Sequence, residues 1–349
     1  MPQPFMTPMG AEILFLLNGT LRSLPELFSL LRYEAGDIRR CIRDLSQKWL
    51  INLVDERVTL TFTGHILANK IRAALPAQYG REISLVGECP SGNQSDWVLD
   101  PEAREKAFRD LFQSNPWLEL LPDQPLLPDD GTGQWKTGIS MGSWGTSCPG
   151  EGDTPLDDLF RTSVVIQNFG LFLMIHTIEA LPSELAERLG DLYQARLVSE
   201  IPVDFKQNFD FYLDIIRQAE KIRGVSTWAT PGIAFEMGKR ILHGADVELI
   251  ITPELAETLL SAPYRQIALN LIGLSNLRFR ISQVPVEAGL TVTDRHLSLG
   301  LFIKKGHQYN KYYDLISTAP RALAWGWDLY RYYQQNSLPA DEFFARING

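Results

Sequence analysis

Arg39, Arg40 and Arg43 fall within a stretch whose apolar residues Ile38, Cys41, Ile42 and Leu45 recur at helical spacing. A helix that buries those four residues turns the three arginines outward together. A guanidinium presents a planar fork of donors that grips a phosphate or, bidentately, the O6/N7 edge of guanine. The chemistry expected of this face is contact with double-stranded DNA, with Arg39, Arg40 and Arg43 as candidate DNA-binding residues. Lys48 and Arg32 are expected to reach the phosphate backbone, and Arg57, beside a tight turn, the neighbouring minor groove. The alternative is a solvated face used for protein contacts, because Glu34, Asp37 and Asp44 dilute the positive charge.

The residues of enzymatic chemistry do not assemble into a pattern. No Gly-x-Ser-x-Gly elbow and no paired metal-binding histidines occur. The glycine-rich stretch 138–148 lacks the Gly-Lys-Ser/Thr ending of a phosphate loop. Cys41, Cys89 and Cys148 form neither a CxxC pair nor a disulfide framework, so no metal site and no cofactor are expected. His176 lies in an apolar stretch and reads as a hydrogen-bonded core histidine. A small-molecule effector is expected instead, at the carboxyl ends of strands in the second half of the chain. The candidate ligand-binding residues there are Trp228, Thr230, Thr252, Thr293, Asp294 and Arg295, with Trp325 and Trp327 as a flat wall.

The elements that must position the arginines occupy residues 1–78. Residues 11–17 read as a short apolar helix stopped at Asn18-Gly19. Ser23 reads as the N-cap of a second helix, with Pro25 and Glu26 in its first turn. A third helix is expected over 35–49, then strands over 50–54 and 58–62 around a turn at 55–57, then a closing helix over 64–75. Three helices, a two-stranded wing and a closing helix make a winged helix-turn-helix, whose third helix enters the major groove. One such unit binds weakly, so a homodimer reading two half-sites is expected.

The net charge of −9 over 349 residues is unevenly placed. Residues 1–75 hold nine Lys/Arg against seven Asp/Glu, whereas residues 84–160 hold four against fourteen. The acidity therefore belongs to the middle, and the first unit is mildly basic. Residues 79–160 are dense in glycine and proline and read as an insertion or linker, with one helix near 101–112. Trp97, Trp117, Trp135 and Trp144 argue that this stretch packs against something; a lid, or an acidic competitor for the basic helix, is the sharper alternative. The start of the chain lacks a signal peptide's basic and apolar regions, and the longest apolar run, 169–175, is short for a membrane span. A cytoplasmic protein with no membrane partner is expected.

From residue 161 to 349 helices and strands alternate: a helix over 164–181, strands near 195–201, 224–229, 247–251, 277–281 and 289–303, and a last helix over 319–333. Such alternation predicts an α/β domain with a largely parallel sheet. The motifs of this half resemble those of the archaeal methanogenesis regulatory protein family, which joins a winged helix to a sensor domain. Phe172-Leu-Met-Ile-His176 with Leu181-Pro-Ser-Glu-Leu185 stands where that family shows Trp/Phe-x-x-x-His and then Ile-Pro. Gly224-Val-Ser-Thr, Val247-Glu-Leu-Ile-Ile-Thr, Leu290-Thr-Val-Thr-Asp294 and Ala322-Leu-Ala-Trp-Gly-Trp-Asp-Leu-Tyr-Arg-Tyr-Tyr333 follow in order. Thr230-Pro231 replaces the family's frequent His-Pro, and the acidic insertion is extra. The resemblance implies a transcription regulator of archaeal methanogen metabolism. It also implies a degenerate phospholipase D-like sensor fold, a chemistry that needs His-x-Lys, which His243, His296 and His307 do not supply. A winged-helix scaffold without DNA binding, and a phosphodiester-processing enzyme, are the two rival functions.

Overall fold

Thr7, Ser23, Thr61, Thr230 and Thr252 each stand just ahead of a helix, and each hydroxyl accepts the backbone N–H three residues on. A side-chain oxygen there satisfies a donor that the first helical turn leaves orphaned, which is why these helices begin where they do. The computed structural model describes residues 5–75, 101–115, 118, 152–199, 205–271 and 273–342. They divide into two compact units, Met1–Met174 and Ile175–Gly349.

The first unit begins with α1 (Pro8–Leu17), β1 (Arg22–Ser23), α2 (Leu24–Leu30) and α3 (Ala35–Gln47). The hairpin β2 (Ile51–Val54) and β3 (Arg57–Leu60) follows, then α4 (Phe62–Ala74), α5 (Pro101–Ser114) and α6 (Pro155–Ile175). Ser23 and Glu26 form the reciprocal capping box of α2. The hairpin turns through Asp55 and Glu56, both left-handed at φ 47° and 61°, the geometry of a two-residue primed turn. The hairpin lies in a three-stranded sheet, where a two-stranded one was expected, because Arg22 and Ser23 pair with Val58 and Arg57. Two residues are too few to show strand alternation in a sequence. In α3, Ile38, Ile42 and Leu45 are buried, and burial pushes the half-buried Cys41 thiol up to about 11.

α5, the helix expected within the acidic stretch, packs onto α1. Phe108 meets Phe15 edge-on at 5.7 Å, and Arg104 Nε donates to Glu12 Oε1 at 2.5 Å with both side chains buried. A second Arg104 nitrogen donates to the Leu30 carbonyl at the end of α2. One guanidinium thus ties three helices together. Burial raises Glu12 despite the charge of Arg104, and burial followed by the nearby Glu12 and Glu105 carboxylates raises Tyr33.

α6 starts earlier than residue 164 because Thr154 and Asp157 cap it reciprocally. It stops at Ile175 rather than 181, because Ile175 O and Thr177 N are taken by Lys304 N and Phe302 O. By length and composition alone α6 could cross a membrane, but 61% of its apolar window is buried within the protein.

The second unit adds α7 (Ser183–Glu187), β4 (Arg196–Ser199), α8 (Phe205–Gln218), β5 (Lys221–Ser226), α9 (Pro231–Leu242) and β6 (Asp246–Ile251). Next come α10 (Pro253–Leu259), α11 (Arg265–Leu271), β7 (Leu277–Ser282), β8 (Ala288–Thr293) and β9 (Leu297–Ile303). β10 (Gln308–Ser317), α12 (Pro320–Gln335) and β11 (Ser337–Pro339) close it. Among the described residues the strands form one sheet in the order β11-β7-β6-β5-β8-β9-β10-β4. The expectation of a largely parallel sheet is corrected: only β5–β6 and β6–β7 are parallel. The turns joining β8, β9 and β10 are too short for crossovers, so those strands must run antiparallel.

Alternation along the strands sorts the two faces. Ile222 and Val247 pack with Leu213, Ile216, Met237 and Ile241 of α8 and α9. The opposite face carries a row of charges in register, Arg223, Glu248 and Arg278 on β5, β6 and β7. Arg223 and Arg278 hold Asp246 at 2.5 and 2.7 Å, and Gln334 of α12 donates to Glu248 at 3.0 Å. Burial alone would raise both carboxyls; Arg223 and Arg278 outweigh it at Asp246, and Gln334 with Arg278 outweighs it at Glu248, so both stay below their ordinary values.

Two outcomes follow from these buried charges. Arg104→Met is expected to destabilise the protein by about 3–5 kcal/mol by stranding Glu12, and Glu12→Leu in the same chain to restore most of that, measured by denaturant unfolding. Carboxylates whose pKa is lowered on folding add stability that is present above their unfolded values and lost as pH falls through the folded ones. The denaturation midpoint should therefore drop below about pH 4, and Arg278→Gln should blunt that drop.

Candidate functional site

In the first unit Arg39, Arg40 and Arg43 lie on one exposed face of α3, opposite its buried seam. The Arg39 guanidinium sits 5.0 Å over the Phe28 ring, which holds it at the α2 side without neutralising it. Arg40 is 81% exposed and reaches Asp37 at 3.4 Å, an exposed pair of little energetic weight. The other candidates are placed differently. Lys48 is folded down on Asp44 at 2.7 Å and lies 5.9 Å from the Phe5 ring, with 21% of its side chain exposed. Arg32 pairs with Glu102 of α5 at 3.2 Å, so an acidic-segment residue does reach this surface. Arg57 is exposed on β3 beside the hairpin turn. The sequence reading missed Leu53 and Val54 on β2, which stand 44% and 65% exposed. No periodicity marks them, because neither face of that strand beyond Ile51 is covered.

The second unit holds a cavity of about 250 Å³ at the carboxyl ends of β5 and β6, between the sheet and α8–α11. Its volume is near the lower end of small-molecule sites. Trp228 and Thr230 line it. The remaining ligand candidates are corrected. Thr252 does not line the cavity, and its hydroxyl caps α10 by accepting from Leu255 N. Thr293, Asp294 and Arg295 lie at the wrong end of the strands: β8 runs against β5, pairing Thr293 with Ile222 near the amino end of β5. Thr293 there accepts from Arg295 N and His296 N, and Asp294 accepts from Glu220 N. Trp325 is fully buried and donates to the Leu185 carbonyl, while Trp327 stacks with the Lys221 ammonium; neither forms a wall of the cavity.

What the sequence reading missed is the polar end. Tyr212 of α8 shares a hydrogen bond with Thr291 of β8 at 2.8 Å. Tyr309 of β10 donates to Asp314 Oδ1 at 3.5 Å, and its ring lies 5.5 Å from Trp228. Gly289 and Gly300, paired across β8 and β9, make room for that ring: a Cβ at Gly300 would stand 2.1 Å from Tyr309 Oη. Burial pushes Tyr212 up to about 12, and burial with the Asp314 charge raises Tyr309 well above its ordinary value. Both phenols are therefore protonated at neutral pH. The β10 register slips between Tyr309 and Asp314, and the intervening Asn310 donates to His176 Nε2 at 2.9 Å within the core. His176 is thus held by Asn310 and does not line the cavity.

Fold and site define a two-unit protein, one unit basic on an exposed helix and the other mixed α/β with a ligand-sized cavity. Residues 207–336, the segment that carries the cavity, match the family described as methanogenesis regulatory protein FilR1, middle domain. The methanogenesis regulatory protein FilR1 of Methanothrix harundinacea (strain 6Ac) is 27% identical over 179 residues, 49% of this chain. The match spans 39% of that relative's length. Two solved structures align at low scores. TrmBL2, an archaeal chromatin protein, aligns at 12% identity over 95% of this chain and 94% of its own, with a TM-score of 0.33. Nuc of Salmonella typhimurium, a phospholipase D family member, aligns at 15% identity over 42% of this chain and 96% of its own, with a TM-score of 0.32. Scores of this size carry no argument.

Gly300→Ala should force Tyr309 out of its place and cost about 1–3 kcal/mol, as overpacking does. In a Tyr309→Leu background the same change should cost clearly less, giving a measurable coupling in a double-mutant cycle of unfolding free energies.

Proposed function

We propose that this chain is a DNA-binding transcription regulator with a ligand-sensing second unit. The observation that carries the reading is the face of α3, where three arginines project opposite a buried apolar seam. Around it, the order of helices and a three-stranded sheet supports a winged helix-turn-helix reading. Arg39, Arg40 and Arg43 are the proposed contacts to a duplex, with Arg57 at the adjoining groove. Arg32 and Lys48 contribute only when released from Glu102 and Asp44. The proposed assembly is a homodimer, because two linked units supply the affinity that one lacks. The family match and the relative's name support a regulator of archaeal methanogen metabolism.

The second unit is proposed as a degenerate phospholipase D-like sensor with its effector in the cavity beside Trp228 and Thr230. A non-catalytic role is supported by the placement of its four histidines: His176 is buried against Asn310, His243 ends α9, and His296 and His307 stand in the two turns flanking β9. An effector acts only through a difference in its affinity for the two DNA-binding states. The exposed Leu53 and Val54 favour one rival, a winged unit used for protein contacts.

Binding of the full chain to duplex DNA, titrated against salt, separates the two. A regulator's log affinity falls steeply with log salt, and Arg39→Ala with Arg40→Ala should flatten the slope by about one for each phosphate those side chains neutralise. A chain that ignores duplexes at low ionic strength, or a variant with an unchanged slope, sinks the DNA-binding reading.

A further inference from the structure

We propose that the second-unit cavity takes an elongated, mainly apolar molecule, its hydrocarbon body beside Leu249 and a terminal hydroxyl or carbonyl oxygen at Ser298. This rests on the reading of the cavity as an effector site and adds the shape and chemical class of the effector.

One register row runs along the floor of the cavity. Phe279, Leu249, Gly224, Thr291 and Ser298 are successive partners across β7, β6, β5, β8 and β9, and all five line the space. The row changes character along its length. Phe279 and Leu249 offer hydrocarbon, Gly224 offers bare backbone, and Thr291 and Ser298 offer hydroxyls. Leu249 leans over β5, since a Cβ at Gly224 would stand 2.8 Å from its Cδ2. From β5 to β9 is two strand spacings, roughly 10 Å, which sets the reach from the hydrocarbon end to Ser298.

At the apolar end the helix-side core is divided. Met237 and Ile241 of α9 belong to one cluster and Ile251 and Leu255 to another, with Leu249 packed against both. The cavity opens between them, and Ile233, Ala234, Leu259 and Phe279 line it while only half-buried. Hydrocarbon that fills the gap covers this apolar surface and supplies the packing it lacks. At the other end Ser298 is 4% exposed, and no described residue hydrogen-bonds its hydroxyl. Its neighbour Thr291 is already engaged with Tyr212. A buried hydroxyl without a partner is costly, and a ligand oxygen within reach satisfies it. A cavity of about 150 Å³ lined by leucine, isoleucine and phenylalanine holds benzene. On that scale about 250 Å³ suits a molecule of about ten non-hydrogen atoms.

The test titrates straight-chain primary alcohols, ethanol to octanol, into the full chain by calorimetry. Affinity is expected to rise about threefold for each added methylene. Ala234→Leu, which fills part of the apolar end, should weaken octanol about tenfold and butanol much less. Ser298→Ala should weaken every member about three- to tenfold and leave the increment per methylene unchanged. If Ser298→Ala fails to fold by circular dichroism, Ser298→Cys, a much weaker hydrogen-bonding group of similar shape, takes its place. Octanol binding that Ala234→Leu leaves untouched lies elsewhere on the protein and overturns the proposal. Affinity that stays level along the series overturns the apolar body, and affinity unchanged by the Ser298 variant overturns the oxygen seat; either leaves the effector site standing. Binding of none of the alcohols overturns both.

Discussion

Strand direction is the constraint on which the second unit depends. β5 and β6 are parallel, so their carboxyl ends open on the same side and the helices that follow them start there, at Thr230 and Thr252. β8 enters beside β5 in the opposite direction and delivers Gly289 and Thr291 to that open end, while its last residues are carried to the other. The cavity is therefore assembled from strands of both directions, β5, β6 and β7 on one side and β8, β9 and β10 on the other. The glycines at positions 289 and 300 are what let a tyrosine from β10 lie across the sheet and complete the polar end.

The opposite face of the same sheet solves a different problem. Arg223 and Glu248, buried in one register row beside the exposed Arg278, would each be costly to bury alone. Joined to Asp246 and capped by Gln334 of α12, they form a satisfied network that pins the parallel strands in register. The cavity face is then free to remain apolar and partly empty, since strand alignment is secured from behind.

The first unit is organised by sign of charge. Its interior holds the buried ion pair of Glu12 with Arg104, which binds α5 to α1 while keeping that arginine out of the surface. Its surface keeps Arg39, Arg40 and Arg43 on α3, with Asp37 beside Arg40 in an exposed, weak pair and the Phe28 ring under Arg39. The acidic middle segment accordingly plays two parts through one helix: Arg104 locks it in place, and Glu102 reaches toward Arg32.

The local layout of the first unit was legible in the residues. Ser23 with Glu26, the spacing of Ile38, Ile42 and Leu45, and the Asp55-Glu56 turn are local patterns that act within a few residues, and the helices and hairpin follow from them. Locally, too, Trp228 and Thr230 announced themselves at a strand end. Only tertiary structure decided the direction of β8, and with it the removal of Thr293, Asp294 and Arg295 from the cavity, because strand order and direction depend on pairing between distant segments rather than on any residue's own preference. The same holds for the polar end: Tyr212, Thr291, Tyr309 and Asp314 come from three elements separated by up to about a hundred residues, and the space they share exists because Gly289 and Gly300 are opposite each other across two strands. A sequence shows which side chains are present; the packing of the sheet decides which of them meet.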